Sequence, residues 1–221
     1  QGGESLLVTR VTSGSFSEAT SSLIETGSGG PTSGLSPFIL ETLSEGVIMN
    51  TGVVEIANGA LQTGSADNVR WEIASVNTSS GVFSLLVRRG NDNNNQKVIL
   101  ESYNNISLDP FSSNYISRAI GDITSNVVTA PDGSGTYLQE SGSYPNISNY
   151  VRVKQVNFNT PHFFNNDGSA KDEFTGSLPV VGSGSFNGAI GSNINATEPN
   201  NFYENISTQT QGLIGTDYTT A

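Results

Sequence analysis

His162 is the single histidine of the chain, so a Ser-His-Asp relay would have to run through it. It lies in Thr160-Pro161-His162-Phe163-Phe164 with no nucleophile elbow beside it, and reads as a structural or surface residue. A histidine-based metal site needs at least a second histidine, and the absence of cysteine removes thiol catalysis, thiolate metal sites and disulfides. Asp92-Asn93-Asn94-Asn95 and Asn165-Asn166-Asp167-Gly168 offer the oxygen ligands calcium prefers, but neither is followed by the glutamate that closes an EF-hand loop. Turn-forming asparagines account for both. Gly182-Ser183-Gly184-Ser185-Phe186-Asn187-Gly188 has the glycine content of a phosphate loop, without the P-loop lysine or the dinucleotide spacing, and reads as a glycine-rich turn or bulge. Twenty acidic residues would allow a glycosidase pair, yet no spacing singles out two of them. The expectation is a chain without catalytic, cofactor-binding or metal-binding residues.

The elements that would position any site are clearest from Phe83 to Asp122. Phe83, Leu85 and Val87 alternate with Ser84, Leu86 and Arg88, which predicts a strand with apolar residues on both faces. Gly90 to Asn95 is turn chemistry, and Lys97 to Glu101 returns as the second strand of a hairpin. Asp109-Pro110 breaks the chain, Ser113 or Asn114 is placed to cap a short helix over 113–120, and Gly121 to end it.

Upstream, Ser5 to Val11 reads as a strand and Thr12 to Ser36 as a long surface loop. Short strands follow at Phe38–Leu43 and Val47–Asn50. Val69 to Val76 sets Trp71 and Ile73 on a core face and Arg70 and Glu72 on the other. Downstream, Val127-Val128 and Tyr137-Leu138 flank the turn Pro131-Asp132-Gly133-Ser134-Gly135. Tyr150 to Val156 reads as a half-exposed strand, Leu178 to Val181 and Phe186 as scattered anchors, and Pro199 to Gln209 as a short helix.

Apolar residues are 34% of 221, but charged residues are only 13% and Val, Ile and Phe recur in clusters, which favours a folded sheet protein over disorder. The expected class is α+β, mainly β: mixed or antiparallel sheets, sandwich-like, with a few short helices and long Gly/Ser/Asn-rich loops. A net charge of −11 argues against nucleic acid and against anionic membrane surfaces. The opening Gln1-Gly2-Gly3-Glu4 leads almost directly into a strand, as expected of an excerpt from a longer polypeptide. Sequons at Asn77, Asn105, Asn146, Asn195 and Asn205 are a by-product of Asn, Ser and Thr content.

The hairpin segment resembles the contractile tail sheath protein of long-tailed bacteriophages, through Leu-Leu-Val-Arg-Arg-Gly at 85–90, Leu100-Glu101, Ser-Leu-Asp-Pro at 107–110, Asn-Tyr-Ile at 114–116 and Ile-Gly-Asp at 120–122. Gln1-Gly2-Gly3, the run Leu6 to Val11 and Asn68 to Ile73 look like earlier strands of the same family. The resemblance implies a non-enzymatic structural subunit with no cofactor. It packs helically with other copies of itself around the tail tube and rearranges on contraction during genome delivery. Tube and baseplate contacts would come from parts of the subunit not present here. The virion tail is the implied location, with assembly in the host cytoplasm. It further implies a family-like β-rich portion at 1–122 and a more variable, outward-facing portion at 123–221. The alternative is a β-rich surface adhesin or a glycan- or receptor-binding module, which exposed aromatics around His162, Phe163 and Phe164 would favour.

Within the resemblance, Arg88 and Arg89 stand at a strand end and must point to opposite faces. Asp109 and Asp122 are the expected carboxylate partners. One arginine would then lock residues 107–122 onto the sheet, and the other would face solvent or a neighbouring subunit.

Overall fold

A computed structural model gives the fold and describes residues 17–27, 32–53 and 55–188. The chain divides into two compact units, and apart from Ser17 the described residues belong to the one spanning Glu18–Ala189. The strand expected at Ser5–Val11 and the helix expected at Pro199–Gln209 lie outside the described residues.

The protein is mainly β. Among the described residues ten strands form two four-stranded antiparallel sheets and a separate hairpin: β1 (Glu18–Ser21), β2 (Phe38–Glu45), β3 (Val69–Asn77), β4 (Val82–Arg89), β5 (Ile99–Ser107), β6 (Thr124–Thr129), β7 (Thr136–Ser141), β8 (Val151–Val156), β9 (Gly182–Gly184) and β10 (Phe186–Gly188). The first sheet runs β10-β1-β2-β8 and the second β5-β4-β3-β9, while β6 and β7 pair only with each other. Among the described residues three short α-helical turns, α1 (Gly46–Met49), α2 (Ile116–Ile120) and α3 (Asp172–Thr175), and one 3-10 turn at Ala57–Gly59 complete the order.

Alternation sets the core. Trp71 and Ile73 of β3 and Leu85 and Val87 of β4 face inward with Leu40, Val151 and Val153 of the first sheet, all buried. Phe38 of the first sheet stacks on Phe83 of the second, ring centroids 5.5 Å apart, so the two sheets share one core. They are also joined covalently, because β9 lies against β3 and, after Ser185 alone, β10 lies against β1. At this crossing the Trp71 indole N–H donates to the Ser185 carbonyl and the Ser22 hydroxyl, each at 3.1 Å. Gly184 is required there, since a Cβ would come within 2.5 Å of both the Trp71 ring and the Ser22 Oγ.

Several local expectations need correction. The segment 12–36 is not all loop: Glu18–Ser21 is a strand, and Ala19 and Ile24 are fully buried. Phe38 to Glu45 is one continuous strand, and Val47–Met49 belongs to a helical turn rather than to another strand. In β8, Arg152 is buried and only Lys154 of the two basic residues is open. Neither Ser113 nor Asn114 caps α2: Tyr115 holds the cap position, and the Asn114 amide donates to the Asn105 carbonyl at 2.7 Å. Strands β8, β9 and β10, from beyond residue 122, complete both sheets.

Candidate functional site

The densest chemistry lies on the outer face of the second sheet. Arg70 and Arg88 are direct cross-strand partners, so two guanidiniums stand side by side, both fully buried. Like charges in that position repel, and taking them out of water is costly. The chain meets both costs with carboxylates from strand and loop. Arg88 Nε and Nη2 donate to the two oxygens of Asp92 at 2.8 and 2.7 Å, and its Nη1 to Glu72 at 2.8 Å. Arg70 donates to Glu55, to the Gly59 carbonyl and to Ser183 Oγ, the last at 3.3 Å. Lys97 reaches the free oxygen of Glu72 at 2.6 Å, so three cations meet three anions. Burial pushes the Arg70 guanidinium below its ordinary range; Glu55 opposes this and Arg88 reinforces it.

Local sequence explains how the loops reach. Asn58-Gly59 takes left-handed backbone at both positions, closing a tight turn that puts Glu55 across from Leu61. That turn meets the 90–98 loop where the Asn94 N–H donates to the Asn58 carbonyl at 2.9 Å. Asp92 also accepts the Val98 N–H at 2.8 Å, so one carboxylate both neutralises Arg88 and shapes its loop.

Asp109 and Asp122 are the partners expected for one of the pair Arg88 and Arg89; the carboxylates that meet Arg88 are Asp92 and Glu72. Asp109 accepts the Phe111 and His162 backbone N–H groups at 3.0 and 3.1 Å. Asp122 accepts those of Ser143 and Tyr144 at 2.8 and 2.7 Å. Both acids therefore organise loops and pair with no arginine among the described residues. Arg89 points the other way, opposite Val69, half-buried and with its Nε unpartnered. The two arginines thus differ in environment, but the one that locks holds the 90–98 loop and not residues 107–122.

Sequence reasoning missed a second network on the first sheet. Arg152 donates to Glu41 at 2.7 Å and to Glu18 at 2.8 Å, with Lys154 3.3 Å from Glu41. Arg152 and Glu41 are cross-strand partners 111 residues apart. Only the strand register could have revealed the pair.

His162 is exposed, in left-handed backbone with φ 50°, and its ring stacks on Phe111 at 4.6 Å between centroids. Phe111 is 70% exposed and Phe164 47%, whereas Phe163 is buried. In the asparagine-rich stretches, Asn93 caps the amides of Asn95 and Gln96, and Asp167 those of Ser169. Gly182–Gly188 forms β9 and β10, not a phosphate loop. Among the described residues no three His, Asp or Glu side chains are grouped so as to hold a metal ion. Within these residues the arrangement is one of paired charges and clamped loops, with the buried Arg70 Nε left without a hydrogen-bond partner. No family model, curated protein or solved structure matches the chain.

Proposed function

We propose that the chain is a structural portion of a phage contractile tail sheath subunit, non-enzymatic and partnered with other sheath subunits in a helical tube. What carries the reading is that the sheath-like residues form one mechanical unit. Leu85 and Val87 enter the core, Arg88 pins the 90–98 loop, and Gly90 packs where a Cβ would meet Asn68. Glu101 accepts from Ser148, Asn149 and Tyr103 at 2.5, 2.8 and 2.9 Å, tying β5 to the segment before β8. Asp109 and Asp122 close the loops at either end of α2. A subunit that transmits force through its lattice needs such cross-linking, because a loosely held loop would yield before the interfaces did.

Exposed Phe111, His162 and Phe164 favour a second reading, a surface module that binds glycan or receptor. Electron microscopy of the parent particle, labelled with antibodies against this chain, separates the two. The sheath reading expects label in regular rows along a striated, contractile tail. Label confined to fibre tips or capsid, or a particle with no sheath, overturns it.

A further inference from the structure

We infer that β6 is a strand-pairing site for β6 of a second copy of this chain, antiparallel and centred on Val127. A free strand edge is a template for another strand, and proteins guard such edges with charges, irregularity or shortness. The described sheets have six terminal strands, and five are guarded. β8 carries Arg152 and Lys154, β5 carries Glu101 and a left-handed Asn105, β7 carries Glu140, and β9 and β10 have three residues each. β6, Thr-Ser-Asn-Val-Val-Thr, has no ionisable residue, no proline and no register shift against β7.

The register follows from the hydrogen bonds. The Ala130 N–H bonds inward to the Gly135 carbonyl at 2.8 Å, so by alternation Ser125, Val127 and Thr129 turn their amides and carbonyls to the free edge. Centring the two-fold on Val127 pairs it with its own copy and Ser125 with Thr129, which satisfies all of these groups. Val127 shares a face with its register partner Leu138, and they are 73% and 60% exposed. Pairing on Val127 joins both copies' residues into one apolar row across four strands, whereas centring on Asn126 would break the row with serine.

The self-complementary row on Val127 and Leu138 selects a second copy as the occupant, and charge sets the strength. At −11 each, two copies repel, and β6 is where they approach without a charge on either strand. Past the strand ends Asp122 comes opposite Asp132 of the second copy, so salt should favour the pairing. Six residues a side is far below the roughly 20–30 of a stable interface. The contact is therefore weak between free chains and effective where copies are held together. It goes beyond the sheath reading and stands if the parent particle has no sheath.

The chain has no cysteine, so single-cysteine variants of the full chain report directly. Val127→Cys at millimolar protein with diamide should form disulfide dimers at least about tenfold faster than Leu138→Cys, as proximity requires. The rate should rise with sodium chloride. Adding Thr129→Pro, which removes an outward N–H and no β6–β7 bond, should abolish the advantage while circular dichroism is unchanged. Equal rates at 127 and 138, no dimer at all, or indifference to Thr129→Pro each overturns the pairing.

Discussion

Arg88 grips Asp92 through two parallel hydrogen bonds, four residues along its own chain and out of contact with water. Only a guanidinium matches a carboxylate in this way, and Lys97, the one lysine of the cluster, makes a single contact to Glu72. Arg88→Ala would leave Asp92 buried with only the long 3.5 Å charge contact to Arg70 in place of two short bonds, and the expected loss is about 3–5 kcal/mol in urea melts. Arg89→Ala should cost about 1 kcal/mol or less, because Arg89 is half-buried and neutralises no carboxylate. Arg88→Lys should fall nearer to the alanine variant than to wild type. Equal, small losses at 88 and 89 would contradict the geometry.

The hairpin holding this pair was legible in the sequence, because period-two alternation and Asn-Gly turn chemistry are local signals. The partners were not. Asp92 looked like one more turn residue, and nothing local distinguishes an aspartate that caps a turn from one that also faces a buried arginine. Arg70 and Glu72 read as an outward face and are outward relative to the core, yet the 55–61 and 90–98 loops cover them. β1 was missed because Ala19 and Ile24 are too sparse an apolar pattern among Ser and Thr to show a period. Its identity comes from its neighbours β2 and β10, which are remote in sequence.

Gly121 ends α2 with φ 109° and ψ 155°, a conformation essentially confined to glycine, and a Cβ there would lie 2.3 Å from the Asn146 Cα. The Asn146 Cα and the Pro145 carbonyl are backbone and cannot swing aside as a side chain could. Gly121→Ala should therefore cost about 3 kcal/mol or more, or prevent folding at ordinary expression temperature. Gly133, at φ 73° in the open turn between β6 and β7, meets nothing, and Gly133→Ala should cost only about 1–2 kcal/mol of backbone strain. Thermal melts of the two variants side by side test the contrast.

Tyr103 predicts an alkaline effect. Burial raises its phenol to about 12, with the Ser148 hydrogen bond opposing and Glu101 reinforcing. The folded state thus holds this proton more tightly than the unfolded chain does. The resulting stability is complete below about pH 10, where the unfolded phenol stays protonated, and is lost as pH rises from there through about 12. Tyr103→Phe should be less stable than wild type at neutral pH by about 0.5–1.5 kcal/mol, through loss of the 2.9 Å bond to Glu101. Its stability should fall less steeply between pH 10 and 12. Parallel denaturation curves across that window would refute the assignment.

Size exclusion with light scattering at micromolar concentration should return a monomer. The pairing inferred for β6 involves six residues a side and works against a charge of −11 on each copy. A stable, salt-insensitive dimer under these conditions would point to a larger interface elsewhere and would make β6 a minor contact.

Asp109 sets the geometry of the exposed aromatic pair by accepting both the Phe111 and the His162 amides, one on each carboxylate oxygen. The backbone of His162 is left-handed, which costs free energy for any residue but glycine, and the Asp109 bond offsets part of that cost. As the only histidine, His162 gives isolated imidazole signals in a proton spectrum, and stacking at 4.6 Å with an interplanar angle of 6° should shift them upfield. Phe111→Ala should return them to ordinary positions without lowering the melting temperature, since the ring is 70% exposed. Asp109→Ala should do the same and also destabilise the fold by about 1–3 kcal/mol, because two backbone amides lose a charged acceptor. Asp109→Asn, which keeps one acceptor oxygen, should retain part of the shift. If the imidazole signals are unshifted in the wild type, or survive Asp109→Ala unchanged, the carboxylate does not position the rings, and the stacked pair owes its geometry to the loops alone.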